Sequence, residues 1–345
     1  MKILVANNTQ PFVWGGAEDL AQSLVANLVR HGHEAEVLRI PFRYHKAEAI
    51  PLQMAAARIL EMDNVDRLIA LKFPAYLLRH PAKTVWLVHQ FRQAYDLFDS
   101  GMSTVPSNEQ GDEIRAAITA ADTEAMVESR RVFAISPNAA QRLERYNGVA
   151  AEVLYHPLSD PELFTGGESE GYIFAGGRIN SMKRQRMLVE ALPHASSAVK
   201  LIIAGPPESD AFAAELVILA EKLGVADRVV FDFGYLPRAT IAEYVNAAAA
   251  CACIPFDEDS LSYVGMEAAH ASRPLITARD SGGILGLVTE RSTGWVCEPE
   301  PKSLAHAMSE AIRTPKLARR YGRNLAEKLR SLNITWDHII ERLTE

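Results

Sequence analysis

The chain has 345 residues, of which 48% are hydrophobic and 23% charged, and its formal net charge is −7. This length exceeds that of a usual single hydrophobic core, so two domains are expected, and the negative charge argues against nucleic-acid binding. No apolar run approaches the roughly 18 residues that span a bilayer, and Cys251, Cys253 and Cys297 indicate neither a disulfide framework nor a zinc site. The start of the chain is typical of a buried strand rather than a signal peptide. These features predict a cytoplasmic globular protein.

Strand-like apolar runs alternate with helical patterns in the first part of the chain, which is typical of a parallel sheet covered by helices. The predicted strands are residues 2–6, 34–40, 66–71, 84–88, 132–135 and 152–155. Helices are predicted at 18–30 and, as one long element, at 109–131. Residues 156–171 then combine proline, glycine and acids without periodicity, and they predict a linker at about 159–170.

A second series of the same kind follows. Its predicted strands are residues 171–177, 199–205, 229–234, 251–255, 274–278 and 294–299, and its predicted helices include about 182–192 and 210–223. The sequence therefore predicts an α/β fold with two doubly wound, Rossmann-like domains facing a cleft. The first domain is predicted at 1–158 and the second at 171–330, with a C-terminal helix at 333–345 that packs back on the first.

Ligands of doubly wound sheets bind beyond the carboxyl ends of the strands, so the residues that follow each strand are the candidates for a site. Gly15 and Gly16 follow the first strand and would let the backbone approach a phosphate closely. Arg178, Lys183 and Arg184 follow the first strand of the second domain. Cations are unfavourable beside a helix N-terminus, so an anion such as a diphosphate would explain them. A solvated basic turn is the alternative.

Other strand ends carry glycine or histidine. Gly205, Gly234 and the pair Gly282–Gly283 stand where a strand gives way to a loop that could meet a nucleoside. His89 ends a strand of the first domain, where a polar side chain would enter the cleft. A purely structural role for this histidine is the alternative.

Two carboxylates, Asp259 and Glu267, lie eight positions apart between two predicted strands. A loop acid and a helix acid at this spacing can face one ligand near a helix N-terminus, where one accepts hydrogen bonds from sugar hydroxyls and the other from ribose hydroxyls. An ordinary capped helix with surface acids is the alternative.

These residues together resemble the retaining glycosyltransferases of family 4, which have the two-domain GT-B fold. The matching pieces are GGAE at 15–18, His89, FAGGRINSMK at 174–183, LIIAG at 201–205, the acidic pair, Gly282–Gly283 and GWVCEPEPKSLAHAM near the end. They span nearly the whole chain in the family's order.

The resemblance implies that Arg178 and Lys183 grip the donor diphosphate, that Glu267 binds ribose, that Asp259 faces the donor sugar and that His89 lies near the reacting carbon. It also implies further donor-binding residues: Gly15, Gly16, Gly205, Tyr235, Leu236, Leu261, Ser262 and Tyr263. The chain departs from the family in three places. Asp259 stands where the family has glutamate, Ser260 and Ser262 replace glycines, and Gly286 stands where an acid is usual.

The expected activity is a retaining, metal-independent transfer of a sugar from a nucleoside diphosphate sugar, with UDP as the nucleotide, to a glycan, lipid-linked or small-molecule acceptor. No cofactor is expected. The alternatives are a catalytically silent GT-B subunit that binds a nucleotide or glycan, and a sugar-nucleotide epimerase on the same architecture.

Charge is distributed unevenly within the first domain. The segment 39–92 has a net charge of +5, and Phe42 and Tyr44 alternate with its cations, whereas 93–128 has a net charge of −7. Such a basic, aromatic stretch is typical of a surface that touches anionic lipid, so peripheral contact with the inner face of a membrane is expected. A solvated charged face is the alternative.

Overall fold

The computed structural model describes residues 1–345, which divide into two compact units. Unit 1 comprises Met1–Pro157 and Ile334–Glu345, and unit 2 comprises Leu158–Asn333. Unit 1 contains β1 Lys2–Thr9, β2 Glu34–Pro41, β3 Arg67–Lys72, β4 Lys83–His89, β5 Arg131–Ala134 and β6 Glu152–Val153, with α1 Gly16–Arg30, α2 Ile50–Arg58, α3 Asp96–Asp99, α4 Glu109–Val127, α5 Pro137–Asn147 and the last helix of the chain, α12 Trp336–Thr344.

Unit 2 contains β7 Tyr172–Gly176, β8 Lys200–Gly205, β9 Val229–Phe233, β10 Ala250–Ala252, β11 Leu275–Ala278 and β12 Gly294–Cys297, with α6 Gln185–Ala191, α7 Asp210–Lys222, α8 Arg238–Ala247, α9 Tyr263–His270, α10 Pro301–Arg313 and α11 Pro315–Ser331. Helix α6 contacts α7 and α10, while α9 contacts α8 and α11. No helix of either unit is both long enough and apolar enough to cross a bilayer.

Each unit is built on one six-stranded sheet in which every strand pair is parallel. The strand order is β2-β1-β3-β4-β5-β6 in unit 1 and β12-β11-β10-β7-β8-β9 in unit 2. The direction of winding reverses between β1 and β3 in unit 1 and between β7 and β10 in unit 2. These reversals are the topological switch points, where ligands of open α/β sheets bind at the carboxyl ends of the strands.

The prediction of an α/β fold with two doubly wound sheets is confirmed, and two details differ. Residues 159–170, predicted as a linker, belong to unit 2, because a 3₁₀ turn at Pro161–Leu163 brings Phe164 into a buried position. The single long helix predicted at 109–131 ends at Val127, because β5 begins at Arg131.

The C-terminal helix α12 is part of the core of unit 1. Ile339, Ile340 and Leu343 are buried in the same cluster as residues of β1, β3 and α1. The guanidinium of Arg67 donates a hydrogen bond of 2.9 Å to the carbonyl of Leu343, which fixes the helix end on the sheet.

Several cations of segment 39–92 pair with acids of α4 and its end. The buried ammonium of Lys83 lies 2.6 Å from Glu128 Oε1 and also donates to two backbone carbonyls. Arg58 bonds Glu128 at 2.7 Å and also Glu124. The predicted lipid-facing position of Phe42 is wrong, because this side chain is 5% exposed and packs against other rings of the core. Part of the charge imbalance of the sequence is therefore neutralised within unit 1.

Unit 1 also buries two titratable groups away from any strand end. Asp122 accepts a hydrogen bond of 2.7 Å from the hydroxyl of Tyr95. Burial raises the pKa of Asp122 to about 7, although that hydrogen bond opposes the rise. His156 is buried close to the unit boundary, and burial lowers its pKa to about 4.

Truncation of the buried leucine in α12 should destabilise unit 1. Leu343→Ala is expected to lower its free energy of unfolding by about 2–5 kcal/mol, the range for deleting a fully buried leucine side chain. Calorimetry measures the change, with the exposed Glu341→Ala in the same helix as control. Equal stability of the two variants would show that α12 does not contribute to the core.

Candidate active site

The loop after β7 places a charged lysine at the switch point of unit 2. Lys183 Nζ lies 2.7 Å and 2.6 Å from the two carboxylate oxygens of Glu258, which follows β10. Burial alone would lower the pKa of Lys183, but Glu258 more than offsets this and the pKa is raised. Arg178, earlier in the same loop, is exposed. This loop therefore presents two cations beyond the carboxyl end of β7.

Arg184, the third cation of the predicted cluster, has a structural role. Its guanidinium forms a bidentate pair with Asp280 at 2.7 Å and 2.8 Å and donates to the carbonyls of Ile254 and Pro255. It fastens the start of α6 to the loops that follow β10 and β11. Arg184 is therefore not available to an anionic ligand.

Gly282 and Gly283 are required by the acidic loop that contains Glu258 and Asp259. A Cβ atom on Gly282 would lie 2.2 Å from the carbonyl oxygen of Glu258, and one on Gly283 would lie 2.2 Å from that of Asp259. The Gly283 N–H donates to the Glu258 carbonyl at 2.7 Å. These glycines therefore allow two loops to touch, which is a different role from the approach to a nucleoside expected from the sequence.

The two acids of this loop differ in exposure. The side chain of Glu258 is 28% exposed beside Lys183, whereas Asp259 is 4% exposed. The spacing of eight positions before Glu267 points to Asp259, and nothing in the sequence points to Glu258. Glu258, the neighbour of Asp259, is the acid that contacts Lys183.

Helix α9 begins in a strained conformation. Ser262 precedes the helix with φ 64° and ψ 132°, a region that residues other than glycine rarely adopt and that occurs preferentially at functional sites. Leu261 is fully buried and Ser262 nearly so, while Tyr263 is partly exposed. The side chain of Leu261 cannot touch a ligand, so a donor-binding role for this residue is limited to its backbone.

Glu267, on the buried face of α9, is held by Arg238, a contact that the sequence does not predict. Glu267 is 3% exposed, and its Oε1 accepts a hydrogen bond of 2.6 Å from Arg238 at the start of α8. The same guanidinium makes a bidentate pair with Asp160 at 2.8 Å and 2.9 Å. Burial raises the pKa of Glu267, and Arg238 offsets part of this rise. No spacing or motif in the sequence points to this contact, since its members come from three separate segments.

The remaining predicted residues of unit 2 lie at the ends of β8 and β9. Gly205 has φ 139°, and a Cβ atom there would lie 2.1 Å from the carbonyl oxygen of Gly177, so the loops after β7 and β8 meet backbone to backbone. Tyr235 is 69% exposed beyond the end of β9, and Leu236 is partly buried.

In unit 1, Gly15 and Gly16 open α1 directly after β1. Gly15 has an extended backbone with φ −159°, and a Cβ atom there would meet only Glu18 Oε2, at 3.4 Å. Neither backbone conformation nor packing demands glycine at this position. The small residue leaves space at the switch point of unit 1.

His89 is the last residue of β4 and is neutral. Its pKa is lowered to about 3 by burial, by the charge of Lys72 and by nearby arginines. Its Nδ1 lies 2.6 Å from the Gln90 carbonyl oxygen. Because a carbonyl only accepts hydrogen bonds, Nδ1 carries the proton and Nε2 is an acceptor. No group of three or more His, Cys, Asp or Glu residues has the geometry to hold a metal ion.

The two parallel sheets and their strand orders match the GT-B fold. Residues 165–328 match the family model described as Glycosyl transferases group 1. The D-inositol 3-phosphate glycosyltransferase of Mycolicibacterium smegmatis is 29% identical over 186 residues, which cover 45% of this chain and 42% of that protein. The chain thus spans less than half the length of this curated relative.

Solved structures match along the whole chain at low identity. Anabaena HepE in complex with UDP and glucose superposes with a TM-score of 0.73 at 18% identity, covering 100% of this chain and 98% of that one. WaaG, a glycosyltransferase involved in lipopolysaccharide biosynthesis, superposes with a TM-score of 0.75 at 15% identity and covers 100% of both chains. These structures share the fold of this chain, and the family model matches residues within its unit 2.

Removal of the arginine that holds Glu267 should destabilise unit 2 in a pH-dependent way. Arg238→Met leaves a buried carboxyl without its cation, so the pKa of Glu267 rises further above its unfolded value. We expect a loss of about 1–3 kcal/mol at pH 7.5 and a smaller loss at pH 5, where a protonated Glu267 needs no cation.

Urea denaturation at the two pH values measures this effect, with the exposed Arg186→Met as control. The double variant Arg238→Met with Glu267→Gln should recover part of the lost stability, because no charge is then buried. An equal loss at both pH values would show that Arg238 acts by packing alone.

Proposed function

We propose that the chain is a retaining, metal-independent glycosyltransferase that moves a sugar from a nucleoside diphosphate sugar, with UDP as the nucleotide. The observation that carries this proposal is that unit 2 has both a charged lysine, Lys183, at its switch point and a buried carboxyl, Glu267, on helix α9. A cation suits the diphosphate and an acceptor of hydrogen bonds suits the ribose. The UDP and UDP-glucose complexes of the neighbour HepE support the choice of donor.

The departing diphosphate is the group whose charge must be stabilised. As the anomeric C–O bond breaks, negative charge grows on the leaving phosphate, and Lys183 and Arg178 offset it. Lys183 exchanges its ion pair with Glu258 for one with the phosphate. The freed Glu258 carboxylate and Asp259 then lie on the sugar side of the loop, where sugar hydroxyls can donate to them.

The configuration at the anomeric carbon is retained in this proposal. A leaving phosphate oxygen takes the proton of the acceptor hydroxyl on the face from which it departs, so no protein nucleophile is required. His89 of unit 1 contributes an uncharged acceptor at Nε2, which can receive a hydrogen bond from a sugar hydroxyl.

The acceptor is proposed as a glycan, a lipid-linked intermediate or a small molecule. Curated relatives act on D-inositol 3-phosphate, and the structural neighbour WaaG acts in lipopolysaccharide biosynthesis. The three unpaired, buried cysteines suit a reducing compartment, so we place the protein in the cytoplasm.

The lysine at the switch point provides the test of this function. Lys183→Ala is expected to lower kcat/KM for transfer from a UDP-sugar at least ~100-fold, the scale of losing a principal electrostatic contact to a transition state. Turnover is measured as UDP release with an acceptor, after a thermal-shift panel of nucleoside diphosphates and their sugars has identified the donor. Arg186→Ala, an exposed arginine on α6, is the matched control.

Three outcomes would contradict the proposal. Wild-type turnover in Lys183→Ala removes the diphosphate role of this residue. Nucleotide binding without transfer for any sugar indicates the silent subunit, and conversion of the sugar while it remains attached to its nucleotide indicates the epimerase.

Peripheral membrane contact is proposed through the loop after β2. Arg43, Tyr44 and Lys46 are exposed there. The variant Arg43→Glu with Lys46→Glu is expected to reduce co-sedimentation with vesicles containing anionic lipid at low salt, by about 1 kcal/mol of binding free energy per cation removed. Vesicles of neutral lipid are the control. Absence of wild-type binding to anionic vesicles would end this proposal.

A further inference from the structure

The switch point of unit 1 contains Lys72, a residue that takes no part in the proposed reaction. Lys72 is the last residue of β3, which adjoins β1 at the reversal of winding. It pairs in register with His89 at the end of β4, next to an irregularity in the strand. The turn at Gly15, with its free space, follows β1 on the other side. Lys72 therefore occupies the position where a doubly wound sheet binds its ligand.

The ammonium of Lys72 has no partner in the chain. It makes no ion pair and donates no hydrogen bond, whereas Lys83 and Lys183 each have a carboxylate oxygen at 2.6 Å. Burial lowers the pKa of Lys72, and the field of Glu18 only partly opposes this. A half-buried cation without a partner is unfavourable by itself, so it is most simply explained by a ligand that provides the opposite charge.

Two further cations lie near the strand end that Lys72 shares with His89. The charges of Lys72, Arg92 and Arg142 all lower the pKa of His89, so all three lie close to it. Arg92 and Arg142 both contact Asp96, at 2.5 Å and 3.3 Å. Lys72 is therefore one of three cations around a neutral histidine.

We infer that Lys72 anchors an oxyanion site at the switch point of unit 1 and that the oxyanion, a phosphate or a carboxylate, is carried by the acceptor. This inference rests on the proposed function, because it assumes that unit 1 receives an acceptor. The donor diphosphate has its own cations, Arg178 and Lys183, in unit 2. The site thus selects acidic acceptors over neutral ones of the same shape.

Phosphate titration tests the site without knowledge of the acceptor. Binding of inorganic phosphate to the full chain is measured by calorimetry in a Lys183→Ala background, which removes the principal anion contact of unit 2. Adding Lys72→Met, which keeps the shape but not the charge, is expected to weaken this binding at least about tenfold. Adding Lys72→Arg should keep most of it, and Lys2→Met, which removes an exposed lysine of the same unit, is the control.

A second measurement observes native Lys72 itself and needs a variant only to assign its signal. Carbon-13 NMR of the reductively dimethylated protein reports each lysine directly, and the Lys72 resonance, identified by its loss in Lys72→Arg, should shift on addition of phosphate. Phosphate affinity independent of Lys72, or an unmoved Lys72 resonance, would overturn the inference.

UDP separates the acceptor from the donor as the source of the anion. In protein with native Lys183, Lys72→Met should leave UDP affinity within about twofold, well below the energy of one charged hydrogen bond. An equal loss of UDP and phosphate affinity would assign Lys72 to the donor diphosphate and overturn the inference. If UDP does not bind at all while phosphate binding depends on Lys72, the proposed function fails and the oxyanion site stands.

Discussion

Two backbone-to-backbone contacts, which leave no space for a side chain, help to determine the positions of the charged groups of unit 2. The loop after β8 touches the loop after β7 at Gly205, and the loop after β11 touches the acidic loop at Gly282–Gly283. These contacts fix the loops in two pairs, and Arg184 joins the pairs through Asp280 and the carbonyls of Ile254 and Pro255. Lys183 and Glu258, which are 75 positions apart, meet only because of this arrangement. A methyl group at any of these glycines would separate the loops and with them the charged groups.

Most of the buried charged groups in this protein form ion pairs, and the position of each pair in the fold indicates whether its role is structural or functional. Lys83 with Glu128 stabilises the interior of unit 1. Lys183 with Glu258 lies beyond the strand ends at the switch point of unit 2, and Glu267 of α9 is paired with Arg238 at the start of α8. Desolvation makes each such pair expensive to form, so pairs at a ligand-binding edge of the sheet are the ones for which a role beyond stability is worth proposing. The single half-buried ammonium without a partner stands at the other switch point.

The sequence predicted the fold well because alternating apolar runs and helical patterns are local signals, and strand ends identified the edge of each sheet that matters. It could not distinguish Lys183 from Arg184, since their partners, Glu258 and Asp280, lie 75 and 96 positions away. It misplaced Phe42 because aromatic residues among cations look alike whether the ring faces lipid or packs on Phe73 and Phe91, with centroids at 5.2 Å and 5.4 Å. The contacts of Arg238 could not be predicted from the sequence, because its partners come close to it only in the folded chain.

The buried acid and the two buried imidazoles of unit 1 have opposite effects on its acid resistance. His89 and His156, with pKa values of about 3 and about 4 instead of 6.5, take up protons only in the unfolded chain as the pH falls below 6.5. Asp122, with a pKa of about 7 instead of 3.8, holds a proton only in the folded chain over the same interval. Unfolding between about pH 4 and 6.5 therefore takes up two protons at the histidines and releases one at the aspartate. For these three groups, the free energy of unfolding falls with acidification at about half the slope that the histidines alone would impose. Asp122 therefore offsets the loss of stability that the neutral His89 of the candidate site causes at acidic pH.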